Sequence, residues 1–229
     1  MERTCRYTVL VHVPRLEGYG VQPPVKNGPA LGGYGAVWAF AAVAPLAGLL
    51  VASPAFADAE FPAALAGHAI LPADTFISPP ADAPADLQMS GKFTTASRTD
   101  ALGAIMGRSA GRPTGLSVPF RGQPVQGHSG IRRMADGTYW VLTDNGFGSK
   151  ANSPDAMLFL SQLRMNWDKG TADRLATIFL HDPDKKIPFR IAHEGTEKRY
   201  LTGADFDLES FQPIGDKLWF AEEFGPFLI

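Results

Sequence analysis

Two acids at matched positions are the residues best placed to do chemistry in this chain. Tyr139-Trp140-Val141-Leu142-Thr143-Asp144-Asn145-Gly146 and Leu218-Trp219-Phe220-Ala221-Glu222-Glu223-Phe224-Gly225 each set a carboxylate between a tryptophan and a glycine at the same spacing. Strand alternation puts Trp140, Leu142 and Asp144 on one face, and likewise Trp219, Ala221 and Glu223, while Glu222 points the other way. Glu209 adds a further acid, with Asp205 and Asp207 behind it. Carboxylate oxygens gathered from separate strand ends are what a hard divalent cation binds. The candidate metal ligands are therefore Glu209, Glu223, Asp144 and Glu222. The competing reading is that each acid caps a turn or pairs with an arginine on a solvated rim, since Asp-Asn-Gly is a common turn former.

Other residues are weighed against plainer roles. A guanidinium grips phosphate through two parallel hydrogen bonds, so Arg132 and Arg133 are candidates for an anionic substrate group. Neighbours in a strand face opposite sides, so only one of them reaches a shared site; Arg132 is the substrate-binding candidate, against the plain reading of a surface arginine. Gly127-His128-Ser129-Gly130 ends on Ile131 and not on the glycine of a nucleophile elbow, so Ser129 reads as a turn residue, and no catalytic residue is assigned. His181 and His193 lack the spacing of a zinc pair. Gly103, Gly107 and Gly111 lack the Lys-Ser/Thr of a phosphate loop.

These acids need strands to carry them. Asp136-Gly137 predicts a two-residue hairpin turn between Ser129–Met134 and Thr138–Thr143, because Asp and Gly tolerate positive φ. Gly215-Asp216 does the same between Ala204–Phe211 and Leu218–Glu222. Further strands are expected at Leu116–Phe120, Ala156–Met165, Arg174–His181 and Ile187–Ala192, whereas Ala101–Met106 fits a strand or a helical turn. The two tryptophans, Trp140 and Trp219, read as core markers. Many short strands with regular turns predict an all-β protein, propeller-like in its repeated Trp-and-acid strand. The ring is expected to be incomplete, because the mature length barely covers four blades of about 40–50 residues.

Of 229 residues, 45% are hydrophobic and 19% charged, and 24 Gly and 19 Pro favour turns over a helical bundle. A net charge of −2 excludes a nucleic-acid footprint. Residues 35–57 carry no charge and end in Ala55-Phe56-Ala57, the small-x-small pattern of a signal-peptidase site. Cleavage is expected between Ala57 and Asp58, leaving no stable membrane span and no cysteine, since Cys5 lies upstream. The expected division is an extension and signal peptide over 1–57, a Pro/Ala-rich lead-in with first weak elements over 58–112, and the propeller domain over 113–229. An exported protein, periplasmic or secreted, follows from that reading.

Ser129-Gly130-Ile131, Asp136 to Gly146, Asp207-Leu208-Glu209-Ser210 and Leu218 to Pro226 together resemble the phytase-like family described as having esterase-like activity of phytase. Its members are exported bacterial proteins with a β-propeller-like domain, and the resemblance covers the N-terminal part of such a domain. One departure is Ser210, where the family usually has glycine after the Asp-x-Glu segment. The resemblance implies a hydrolase of phosphoric or other esters, a small-molecule ester as substrate, and calcium as the cofactor. A second reading is a non-catalytic secreted propeller that binds a ligand or protein partner through the same channel.

Overall fold

In the computed structural model, residues 7–8, 64–125, 127–225 and 227–229 are described. The expected cleavage site at Ala57–Asp58 lies outside them. Among the described residues the protein is all-β, with one short 3-10 helix at Ala85–Gln88. The strands are β1 (Tyr7–Thr8), β2 (Phe76–Ile77), β3 (Met89–Ser90), β4 (Ile105–Ser109), β5 (Arg112–Val118), β6 (Phe120–Arg121), β7 (Gln123–Pro124), β8 (His128–Arg133), β9 (Tyr139–Thr143), β10 (Phe159–Asn166), β11 (Thr171–Phe179), β12 (Leu208–Ile214), β13 (Lys217–Glu222) and β14 (Phe227–Leu228). One four-stranded sheet runs β11-β10-β9-β8 and another β1-β14-β13-β12, with three short two-stranded pairs before them. No closed ring forms among the described residues. No helix there is long and apolar enough to cross a membrane.

The first sheet is covered on both sides, which is why β9 reads as a nearly continuous apolar run and not as an alternation. Adjacent residues of β10 show the division. Leu160 joins a core built with Trp140, Leu142, Leu208, Phe220 and Ile229, while Phe159 joins a second core with Met157, Tyr200, Ile77, Leu87 and Val125. The first core thus lies between the two four-stranded sheets, and the second binds the preceding segment to the outer side of the first sheet. Buried Lys92 reinforces that attachment. Its ammonium pairs with Asp155 at 3.1 Å and donates to the Asp86 and Met89 carbonyls, so the buried charge is matched.

Two local expectations change. The β8–β9 connection is a three-residue loop, Ala135–Gly137, not a two-residue turn. Met134 N donates to Thr138 O, and Gly137 takes φ 82° as the left-handed residue of the bulge that ends such loops. The Asp136 carboxylate fixes it by accepting from the Thr138 amide and hydroxyl. Ile187–Ala192 is not a strand. Asp182 takes the amide hydrogens of Lys186 and Ile187 that a ladder would need, and Pro188 has none to give. Ile187 and Ile191 still enter the first core.

Candidate functional site

The hairpins β8–β9 and β12–β13 share one hydrogen-bonded register. In the first, His128 pairs with Thr143 and Gly130 with Leu142, leaving Ser129 as an extra residue in a bulge. In the second, Leu208 pairs with Glu222 and Ser210 with Ala221, leaving Glu209 as the extra residue. Beyond the bulge, Asp144 N donates to Gly127 O at 2.9 Å, and Glu223 N donates to Asp207 O at 2.9 Å. Toward the turn, Arg132 faces Trp140 as Gln212 faces Trp219. The register therefore matches Gly127 with Asp207, Ser129 with Glu209, Asp144 with Glu223 and Trp140 with Trp219. A bulge releases its extra residue from the ladder and re-aims its side chain.

In the second hairpin all three of these strand-end positions are acidic, and they converge. One oxygen each from buried Asp207, half-buried Glu209 and exposed Glu223 lies within 4.8 Å of the others. The bulge residue of the first hairpin touches this group, since the Ser129 hydroxyl hydrogen-bonds the Glu209 carboxylate. Burial, together with the charges of Asp207, Glu223 and Asp144, raises the Glu209 pKa, and the Ser129 bond opposes the rise. Burial likewise raises that of Asp144, with Asp207 adding to it and the Gly146 amide working against it. The site is a concentration of negative charge that a divalent cation would relieve.

Asn145 braces the site. Its amide nitrogen donates to Asp207 Oδ2 at 2.6 Å, its backbone N–H to Asp207 Oδ1 at 3.2 Å, and its Oδ1 accepts from Gly148 N at 2.7 Å. One buried side chain thus joins an acid of the second hairpin to the loop that leaves the first. Gly203 lies against the Asn145 backbone so closely that a β-carbon there would collide with it. On that same loop, the Lys150 ammonium sits 4.8 Å from the centre of the Phe224 ring, one residue after Glu223.

Of the residues picked out by sequence, Glu209 and Glu223 lie in the acidic group. Asp144 stands beside it, with Oδ1 engaged by Gly146 N at 2.8 Å. Glu222 stands apart, its Oε2 accepting from the Phe224 amide at 2.9 Å to close its own turn. Asp205 is structural, accepting from the Ala192 and Thr202 amides. Arg132 does not join the acids: it faces Trp140, four residues from Asp144 and so about 13 Å away along the strand. Sequence reasoning placed Asp207 in the background and left Asn145 as a turn former. The usable signal was register: allowing for a first loop one residue longer than Gly215-Asp216, Asp207 falls opposite Glu223 as Gly127 does opposite Asp144.

Three carboxylates suit calcium, which takes six to eight oxygens and leaves places for water and substrate. Residues 123–229 match the family model described as phytase-like, esterase-like activity of phytase, a β-propeller family. Neither curated proteins nor solved structures give a match. The segment that builds both hairpins and every acid of the site, residues 123–229, is thus the part of the chain that is similar to the phytase-like family.

Proposed function

We propose that the protein is an exported hydrolase of phosphoric or other esters, and that Asp207, Glu209 and Glu223 hold a divalent cation, calcium by chemistry, at which the ester binds. The observation that carries this reading is the convergence of three carboxylates at equivalent ends of one hairpin within a phytase-like segment. The uncharged stretch 35–57 with its Ala55-Phe56-Ala57 ending supports export. When bound, the cation supplies Lewis-acid polarisation of the ester and neutralises charge that develops on its oxygens. The chain's own residues do the positioning. Asn145 fixes the Asp207 carboxylate, Ser129 steadies Glu209, and the Asp207 carbonyl anchors the Glu223 backbone.

The test is hydrolysis of a chromogenic phosphate ester in calcium. Glu209→Gln and Glu223→Gln should each lower kcat/KM at least about a hundredfold, because a removed charged ligand weakens both cation and transition state. Unchanged rates in both variants would remove these residues from the mechanism.

A further inference from the structure

We propose that Lys150 is the anion-binding residue of this site and selects a phosphorylated ester over a neutral one; this rests on the cation reading above. Three carboxylates and one divalent cation still carry net negative charge, so a phosphate approaching them needs a positive group on its own side. The guanidinium favoured from sequence, Arg132, lies toward the other end of its strand. Lys150 stands on the loop that Asn145 ties to Asp207, and it reaches the segment that carries Glu223. Its ammonium rests over the Phe224 ring at 4.8 Å, and Phe224 directly follows Glu223.

The placement is built. Glu222 holds the Phe224 amide at 2.9 Å, which fixes the ring's backbone. Asn145 accepts from Gly148 N at 2.7 Å while donating to Asp207, so the loop bearing Lys150 and the acidic group share one brace. Asn152 ties the loop further, donating to Phe147 O at 3.3 Å. Lys150 is exposed, and among the described residues no carboxylate pairs with it. Its charge is therefore not spent on a neighbouring acid. An ammonium held by a π face keeps its hydrogens free to donate outward. Lysine binds phosphate as a point charge, without the planar geometry that arginine imposes.

The test uses the full chain and two titrations: calcium alone, and inorganic phosphate in saturating calcium. Lys150→Met should weaken phosphate binding about tenfold, the scale of one lost charge-assisted hydrogen bond. Lys150→Arg should stay within about threefold of wild type, because the charge is retained. Phe224→Leu should fall between them, since the ring only steers the ammonium. All three should keep wild-type calcium binding and wild-type Tm in chelator. Phosphate affinity unchanged in Lys150→Met, or a wild-type protein that takes up no phosphate, would overturn the proposal. Absence of calcium binding in wild type would instead overturn the cation reading, so the two failures are separable.

Discussion

The hairpins β8–β9 and β12–β13 share a register, a bulge and a closing hydrogen bond, and both feed the first core, yet only the second gathers acids at its strand ends. At the three matched strand-end positions the first carries Gly127, Ser129 and Asp144. Its one carboxylate folds back onto its own turn, bonded to Gly146 N and lying over Gly127, where a β-carbon would collide with it. The second carries Asp207, Glu209 and Glu223, more charge than one hairpin can satisfy, and these acids converge. The scaffold supplies positions and leaves the chemistry to their occupants. The tryptophans diverge too. Trp140 is 4% exposed in the core between the sheets, but Trp219 is half-buried and belongs to neither core cluster. The expectation that both mark core holds only for Trp140. The sheets stack so that the Trp140–Leu142 face of β9 meets the Leu218–Phe220 face of β13, which leaves Trp219 on the far side.

That contrast yields the largest expected effect. Trp140→Ala should cost about 3–5 kcal/mol in urea denaturation, as truncation of a buried aromatic does, and Trp219→Ala less than half as much. Equal losses would contradict the stacking. Next comes the joint between the hairpins. Gly203→Ala should destabilise by about 1–3 kcal/mol, because the backbone of Asn145 must move to admit the methyl group. A neutral result would show that Asn145 does not need its present place.

The smallest effect is a pH slope. The Glu209 pKa is raised on folding, so the native state holds its proton more firmly than the unfolded chain. Stability without cation should therefore fall as pH rises through that raised value, above the ordinary 4.5, the reverse of an ion-paired carboxylate. Melting in chelator from pH 4.5 to 7 should show wild type losing stability relative to Glu209→Gln, with calcium removing the difference. Parallel curves would mean that the crowding of acids exerts no strain.

Much of this was legible in the chain. Asp136-Gly137 and Gly215-Asp216 mark both hairpins, because few residues tolerate the turns they make. The Trp-to-acid spacing matched Asp144 with Glu223 before any register was known. Asp207 was not legible as a site residue, since its place depends on a bulge that no residue type announces. Arg132 attracted attention by standing in a conspicuous motif, although strand length carries it away from the acids. Lys150 is an isolated loop lysine, and only tertiary packing brings it to Phe224. Ile187–Ala192 looked like a strand because it is apolar, but Asp182 claims the backbone donors that a ladder would use.

Melting in millimolar calcium against chelator decides whether the acids of the second hairpin hold a divalent cation. At calcium a hundredfold above its Kd, wild-type Tm should rise by roughly 5–10 °C, since a ligand bound only by the folded state must stabilise it. The rise should vanish in a Glu209→Gln/Glu223→Gln variant and survive in Glu222→Gln. A wild-type Tm identical in calcium and chelator would contradict the account.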